Sequence, residues 1–248
     1  MDFLRIIENL FLQTEMIPAK KNKFIGSLFA FYHKRLIKKH FYAIHLAGEE
    51  NLSSLDKSLP VIMYANHSNW WDGFMAYYLT NRLMKKDDYL MMDIKQMKKY
   101  SFFKYIGVFS VDRDVPAEAV RSVNYAAELL KDSQRYLWIF PQGDMVPQDR
   151  RPLKFFSGIT KIAEKTGRVN LIPVCFRYEY MMEQRPEVFI SIGKPELFSG
   201  KSDSDFTEHL RSNLESQLDK LRDDITAGNL AGFKTIFRGK DSRNKSFD

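Results

Sequence analysis

The sequence contains a single cysteine, Cys175, among its 248 residues. One thiol cannot form an internal disulfide, and this one lies in an apolar stretch, which predicts a buried, unreactive side chain in a reducing compartment. The chain also lacks an apolar run of about 20 residues, the length that a membrane-spanning helix requires. The longest apolar run near the amino end covers only residues 24–32, so we expect no spanning segment.

Several other signals are missing. Acidic residues at Asp2 and Glu8 interrupt the first stretch and no small-residue cleavage site follows, so we expect no signal peptide and a protein on the cytoplasmic side. No His-x3-His or Cys-x2-Cys spacing indicates a metal site, and no recognition motif accompanies the basic character of the chain, so we expect neither a metal nor a nucleic-acid partner. Internal repeats are absent as well.

Apolar residues make up 44% of the chain and aromatic residues 14%. This composition excludes disorder over most of the length and predicts one α/β domain with a sizeable core. The charge is unevenly distributed. Residues 1–42 contain eight Lys or Arg and three acidic residues, so this end carries +5 of the net charge of +7. Aromatic and aliphatic residues are interleaved with these cations, which favours an anionic membrane surface as partner over nucleic acid.

The amino end predicts two helices, residues 2–15 and 22–41, broken near Pro18. The second has a broad but imperfect apolar side, which suits either packing on the core or lying on a membrane as a peripheral, monotopic anchor. We therefore divide the chain into basic amphipathic helices at 1–45, an α/β domain at 46–230 and a polar, basic, mobile tail at 231–248.

Strands and helices alternate along the central part of the chain. Short apolar runs predict strands at 59–64, 89–92, 107–113, 136–140, 171–176 and 188–192. Helical periodicity predicts helices at 73–84, 95–105, 116–130, 158–165 and 206–225. In the third of these helices Val120, Val123, Ala127 and Leu130 share one face. The alternation predicts a mixed, largely parallel sheet flanked by helices.

One polar stretch follows the first of these strands and contains His67 and Asp72. Two residues five apart on a continuous helix point in different directions, so they can meet only if His67 lies in the loop and Asp72 in the first helical turn. We predict Asn69 as the N-cap, which puts Asp72 at the third helical position with its carboxylate turned back to the imidazole. Such a pair forms a general base that takes a proton from a substrate hydroxyl.

Four segments in order resemble the glycerolipid acyltransferases typified by bacterial 1-acylglycerol-3-phosphate acyltransferase. They are the Asn-His-x4-Asp block at 66–72, Gly-Val-Phe-Ser-Val-Asp-Arg at 107–113, Phe-Pro-Gln-Gly at 140–143 and Leu-Ile-Pro-Val at 171–174. Together with Gly-Lys-Pro at 193–195 they cover residues 65–195, and the basic, apolar amino end resembles the monotopic anchor of that family.

The resemblance implies that His67 is the catalytic base and Asp72 its orienting partner. The acceptor hydroxyl then attacks an acyl thioester of CoA or acyl carrier protein, used as a co-substrate without any other cofactor. Backbone N–H groups near Gly143 are expected to stabilise the charge on the thioester oxygen, and Arg113 to bind the acceptor phosphate unless it pairs with Asp112. The substrate-binding residues predicted on this basis are Asn66, Asp112, Arg113, Gln142, Gly143, Arg150, Arg151 and Lys154.

The third segment departs from the family pattern Phe-Pro-Glu-Gly-Thr-Arg, because Gln142, Asp144 and Met145 replace its Glu, Thr and Arg. A lost cation and an added carboxylate weaken phosphate binding. Either Arg150, Arg151 or Lys154 supplies the missing charge to a lysophosphatidate or lysophospholipid, or the acceptor is a glycolipid, a glycosylated carotenoid or an amino lipid.

Two other classes of protein remain open from the sequence. A non-catalytic lipid-binding protein could keep the same fold, and a metal hydrolase could use His67, Asp72 and Asp112. The remaining histidines have no partner pattern and are predicted to be structural.

Overall fold

The computed structural model describes residues 15–202 and 205–241. Their α-helices are α1 Lys23–His40, α2 Asp72–Tyr77, α3 Ile94–Lys99, α4 Pro116–Leu130, α5 Gly158–Thr166 and α6 Phe206–Thr226. Their strands are β1 Ala43–Ala47, β2 Val61–Ala65, β3 Asp88–Asp93, β4 Val108–Val111, β5 Tyr136–Ile139, β6 Arg168–Glu179, β7 Glu187–Ile192, β8 Glu196–Ser199 and β9 Lys234–Arg238. The 3-10 helices are Glu49–Ser54 and Ser101–Ile106, and a π-helix covers Tyr78–Met84.

These strands form one sheet in the order β4-β3-β5-β2-β6-β7-β1-β9, and β8 pairs with β6 outside this path. The five strands from β4 to β6 run parallel to one another, as do β1 and β7. The β6–β7, β6–β8 and β1–β9 pairs are antiparallel. The predicted α/β domain with a mixed, largely parallel sheet is confirmed, and β2 occupies a central position in that sheet.

The side chains of β2 alternate between two buried layers. Ile62 and Tyr64 face the layer formed with α4, α5 and α6, whereas Val61, Met63 and Ala65 face the layer formed with α1 and α2. All five are at most 2% exposed. A strand covered on both faces has no polar side, which explains its continuous apolar sequence.

The carboxyl end of the chain corrects one prediction. Lys234–Arg238 is not a mobile tail but the edge strand β9, which pairs antiparallel with β1. Cations at both ends of a short apolar stretch are typical of an edge strand, because they disfavour pairing with a further strand. The same polar ends make the strand difficult to predict from the sequence. The boundary predicted at residue 45 likewise falls inside β1, which pairs with β7 within the domain.

Two predicted helices are divided. The helix predicted at 73–84 is α2 followed by the π-helix, and the one predicted at 95–105 is α3 followed by a 3-10 helix. The prediction of Asn69 as the N-cap is wrong, because Trp71 precedes the first helical residue and Asp72 is that residue. Asn69 instead accepts the N–H of Trp71 at 2.7 Å in the loop before the helix.

Helix α1 confirms the second predicted amino-terminal helix, and the first, at 2–15, lies almost wholly outside the described residues. Phe29, His33 and Ile37 are buried against the domain. The opposite side leaves large apolar residues exposed by half or more, namely Phe24, Leu28, Phe31 and Tyr32. One side of α1 therefore packs on the core, and the other presents large apolar side chains at the surface. None of the described helices is long and apolar enough to cross a membrane.

Candidate active site

The site begins where β2 ends, at Asn66. The amide of this buried side chain donates to the carbonyl of Phe176 at 2.9 Å and accepts the N–H of Phe176 at 2.8 Å. The two bonds continue the β2–β6 pairing by one step. Both polar atoms of the Asn66 side chain are therefore in contact with β6, which holds the start of the loop in place. The predicted role of Asn66 in substrate binding stays a prediction.

The backbone of His67 is held from both sides by the loop that follows β5. Its N–H donates to Oε1 of Gln142 at 2.7 Å, and its carbonyl accepts the N–H of Val146 at 3.0 Å. The imidazole stacks on Phe140, with 4.6 Å between ring centroids. Gln142 is only 3% exposed, and its side-chain oxygen holds the backbone of His67 in place. Its predicted role in substrate binding stays a prediction.

The predicted contact between His67 and Asp72 is present, with Nδ1 and Oδ2 2.9 Å apart. The same carboxylate oxygen accepts the N–H groups of Ser68 at 2.6 Å and Asn69 at 3.0 Å. The Asp72 side chain is fully buried, whereas that of His67 is 22% exposed. A carboxylate on Nδ1 fixes the ring tautomer and leaves Nε2 as the acceptor, the arrangement that a general base needs.

A further contact to this carboxylate was not predicted. The hydroxyl of Tyr178 donates to Oδ1 of Asp72 at 2.8 Å. Burial of the phenol and then the charge of Asp72 raise the pKa of Tyr178 well above its ordinary value. Tyr178 lies two residues beyond the end of the strand predicted at 171–176, and no local pattern of residues indicates its contact with Asp72.

Arg113 also reaches the site, where it pairs with carboxylates. Its guanidinium lies 2.8 Å from Oδ1 of Asp144 and 3.8 Å from Oδ2 of Asp93. The hydrogen bond from Asp144 raises the pKa of Arg113, and the same bond lowers the pKa of Asp144. Besides Asp112, the alternative partner considered from the sequence, the carboxylates of Asp144 and Asp93 lie beside Arg113. Asp112 is 7% exposed and accepts the N–H of Asp114, which points its carboxylate at the backbone.

Gly143 lies against this pair, with a positive φ of 75°. A Cβ atom there would approach Nη1 of Arg113 to 2.2 Å and Cε2 of Phe156 to 2.8 Å. The position therefore requires glycine for both conformation and space. The N–H of Gly143 donates to the carbonyl of Phe140 at 3.0 Å, so this N–H is already used in the turn.

The three cations predicted to replace the missing arginine differ in position. Arg151 binds Asp219 of α6 at 2.9 Å and 3.2 Å, which directs it away from His67. Arg150 is exposed and outside the cleft described below. Lys154 lies closer to the site. Its Nζ is 4.8 Å from the ring centre of Phe156, and the guanidinium of Arg113 is 5.2 Å from the same ring centre. Lys154 is the member of this set that the structure brings near the site.

His67 lines a cleft of about 690 Å³. The cleft has two apolar lobes, one on each face of the sheet. The α1 lobe lies on the face covered by α1 and α2 and is lined by Phe29, Phe74, Tyr77, Phe103, Ile106 and Val108. The α5 lobe lies on the other face, between α4 and α5, and is lined by Ala119, Val120, Val123, Lys161, Ile162 and Lys165. Of the predicted site residues, His67, Arg113 and Gly143 line the cleft.

Val120 corrects a sequence prediction. It was predicted to share one face of the helix with Val123, Ala127 and Leu130, which are buried, yet it is 54% exposed and borders the α5 lobe. No group of three His, Cys, Asp or Glu among the described residues is arranged to hold a metal ion. The predicted metal hydrolase therefore gains no support from the arrangement around His67 and Asp72.

A basic residue oriented by a buried carboxylate, at the mouth of an apolar cleft, defines a site for transfer chemistry on a lipid-like substrate. Residues 43–177, more than half of the chain, match the acyltransferase family. The chain belongs to this family, and the matched segment contains β2, the His67–Asp72 pair and the loop that carries Gly143.

Two individual proteins are similar to this chain. It is 29% identical over 137 residues to 1-acyl-sn-glycerol-3-phosphate acyltransferase of Saccharomyces cerevisiae (strain ATCC 204508 / S288c), which covers 53% of this chain and 42% of the yeast protein. The chain thus spans less than half the length of that relative. Its fold matches the crystal structure of the 1-acyl-sn-glycerophosphate (LPA) acyltransferase PlsC from Thermotoga maritima, with a TM-score of 0.56, 21% identity and 81% coverage of both chains.

Proposed function

We propose that the protein transfers a fatty acyl group from an acyl thioester to a hydroxyl of a lipid acceptor, with His67 as the general base. The observation that carries this proposal is the 2.9 Å contact between Nδ1 of His67 and the buried carboxylate of Asp72. Nε2 takes the hydroxyl proton while the oxygen attacks the thioester carbonyl. The C–S bond then breaks, and the imidazolium returns the proton to the leaving thiolate.

The donor is acyl-CoA or acyl-acyl carrier protein, and the reaction needs no other cofactor. The apolar lining of the α1 lobe suits the fatty acyl chain, because its wall consists of aromatic and aliphatic side chains. The charge that develops on the thioester oxygen requires hydrogen-bond donors. The N–H of Gly143 is occupied by Phe140, which removes this particular group from the set predicted for that role.

The acceptor is by default a lysophosphatidate or another lysophospholipid, in line with the activity named for both similar proteins. A second acceptor class is favoured by one observation. Asp144 lies 2.8 Å from Arg113 and forms an ion pair with it. Arg113 is the cation that the family resemblance assigns to the acceptor phosphate. A lipid without a phosphate, such as a glycolipid, a glycosylated carotenoid or an amino lipid, does not have to displace this carboxylate.

Access to such lipids requires a membrane surface. We place the protein peripherally on the cytoplasmic side of the cell membrane, with the exposed side of α1 in the interface. Phe24, Leu28 and Phe31 supply apolar area, and Arg35 stacks 4.2 Å from the ring centre of Phe31. Cations among exposed apolar residues are typical of contact with anionic lipid.

The test is thioester consumption by the purified protein in the presence of liposomes. The donors are long-chain acyl-CoA and acyl-acyl carrier protein, and the acceptors are lysophosphatidate, lysophospholipids, neutral glycolipids and amino lipids. Turnover should fall by about 100-fold or more in His67→Ala, the scale expected for loss of a general base. His209→Ala is the matched control, because His209 lies on α6 and pairs with Glu196.

Two results would contradict the proposal. Full turnover in His67→Ala would exclude the assigned base. Lipid binding that is unchanged by His67→Ala, together with no turnover of any donor and acceptor pair, would favour the non-catalytic lipid-binding class.

A further inference from the structure

Two lysines give the α5 lobe positive charge. Lys161 and Lys165 line it from α5, four residues apart and therefore on one side of the helix, about 6 Å apart along its axis. Within the described part of the chain neither lysine forms a salt bridge, although Lys161 lies close enough to Glu164 for its charge to act on that carboxylate. Two ammonium groups at this spacing can reach one phosphate group.

The other two Lys or Arg residues in the cleft lining, Arg113 and Lys95, are paired. Arg113 is bound by Asp144 and Asp93, and Lys95 lies 2.8 Å from Asp114. These carboxylates offset the positive charge on the β4 side of His67. The cleft lysines that form no salt bridge among the residues that the structure describes therefore lie on α5, and an anionic part of a substrate is attracted there.

The lobe between these lysines and His67 is apolar and open. Val120 is 54% exposed on α4, and Val123 and Ile162 form the floor beneath it. The exposed aliphatic side chain of Val120 lies in the same lobe as the ammonium groups of Lys161 and Lys165. This combination suits an elongated ligand that has a weakly polar arm and an anionic end. A fully apolar chain is served better by the α1 lobe, whose lining has no lysine at its far end.

Under the proposed function, one lobe lies on the membrane side of the sheet and the other on the side away from the membrane. The α1 lobe lies beneath α1, whose exposed apolar side is assigned to the membrane, whereas the α5 lobe is on the opposite face of the sheet. A water-soluble donor approaches from the side away from the membrane. The two lobes meet at His67, where the thioester bond must lie.

We propose that the α5 lobe holds the phosphopantetheine arm of the acyl donor, with its phosphate at Lys161 and Lys165. This inference rests on the proposed acyl transfer and adds a donor site to it. Phosphopantetheine is the chemistry shared by CoA and holo-acyl carrier protein, so the site serves either donor. The acyl chain extends from the thioester at His67 into the α1 lobe on the other face.

The first experiment measures binding by isothermal titration calorimetry, with 4′-phosphopantetheine and pantetheine as probes. Phosphopantetheine should bind the wild type and His67→Ala alike, and pantetheine should bind at least about tenfold more weakly because it lacks the charged partner of the lysines. The double variant Lys161→Glu, Lys165→Glu should lose about tenfold or more in affinity for phosphopantetheine, with little change for pantetheine.

Two further variants make the result specific. Lys57→Glu, Lys131→Glu makes the same charge change at exposed lysines outside the cleft and should leave both affinities unchanged. Val120→Trp fills the lobe from an exposed position, so it should weaken both probes without altering the charge. Titration with CoA and with holo-acyl carrier protein then distinguishes the two sources of the arm, because the preferred one binds more tightly.

The inference is overturned if phosphopantetheine binds the Lys161→Glu, Lys165→Glu protein as well as it binds the wild type. It is also overturned if CoA binds while phosphopantetheine does not, since the nucleotide end would then carry the affinity, or if none of the probes binds. The His67→Ala arm separates the two proposals. Lysine-dependent binding without turnover supports the donor site and rejects the proposed acyl transfer. Turnover that is unchanged by replacing both lysines supports the acyl transfer and rejects the donor site.

Discussion

The hydroxyl of Tyr178 lies 2.8 Å from Oδ1 of Asp72, while Oδ2 of the same carboxylate contacts Nδ1 of His67. Asp72 is thus held by donors on both oxygens and is fully buried. A carboxylate fixed in this way cannot rotate away from the imidazole. Tyr178 therefore positions the base without touching the reacting atoms.

Replacing Tyr178 with Phe should lower kcat about tenfold or more and leave KM unchanged, because a hydrogen bond to a charged group contributes about 1.5–3 kcal/mol. Steady-state kinetics with saturating donor measure both constants. Tyr136→Phe is the matched control, since Tyr136 is buried on β5 at the amino ends of the parallel strands. Equal losses in the two variants, or a change confined to KM, would show that Tyr178 does not act through Asp72.

The ion pair between Arg113 and Asp144 predicts how the acceptor preference can be changed. Asp144→Asn removes the carboxylate that occupies Arg113, so KM for lysophosphatidate should fall. Because the Asp144 side chain is 67% exposed, the gain should be limited to about fivefold, the upper range for an exposed pair. Glu49→Gln, which breaks the exposed pair with Lys234 away from the cleft, is the control. A higher KM for lysophosphatidate in Asp144→Asn would mean that Asp144 aids acceptor binding.

Gly143→Ala tests the turn that supports Arg113. The added Cβ would overlap Arg113 and Phe156, and the positive φ costs about 1–3 kcal/mol for a residue with a side chain. We expect the free energy of unfolding to fall by at least this amount in urea titrations, and activity to fall because Arg113 is displaced. Gly232→Ala, where a Cβ meets no atom within 4 Å, should change neither quantity appreciably. Wild-type activity in Gly143→Ala would show that the turn tolerates a side chain.

His33 predicts a specific loss of stability in acid. Its ring is buried between α1 and α2, Nε2 lies 2.9 Å from the carbonyl of Phe74, and burial lowers its pKa from 6.5 to about 4. The folded protein therefore binds the proton less readily than the unfolded chain. The contribution of His33 is complete above pH 6.5 and is lost as the pH falls toward 4. Between pH 7.5 and 4.5 this loss should reach about 2.5 kcal/mol.

The measurement compares urea unfolding of the wild type and His33→Gln at the two pH values. The variant should be less stable at pH 7.5 and should show a decrease between the two values that is smaller by about 2.5 kcal/mol. Other titrating groups are common to both proteins and cancel in the difference. Equal decreases would show that His33 is protonated as easily in the folded protein as in the unfolded chain.

Much of the fold could be predicted because its signals are local. An apolar strand ending at residue 64 and a helix beginning in the next ten residues place His67 and Asp72 close together. Five residues cannot separate them far. The alternation of strands and helices predicts the parallel sheet, since parallel strands need crossovers and α-helices supply them. The short strands β1, β8 and β9 were not predicted; β9 lies at the edge of the sheet and β1 lies between β7 and β9.

The sequence by itself determined the class of sheet, the two-sided burial of β2 and the identity of the His67–Asp72 pair, because these depend on periodicity and near neighbours. Only the tertiary structure decided which distant side chains complete the site. Tyr178 is 106 residues from Asp72, and Gln142 is 75 residues from His67. Such contacts depend on the order of the strands and on the path of the loops between them, and local patterns of residues do not encode which strands become neighbours.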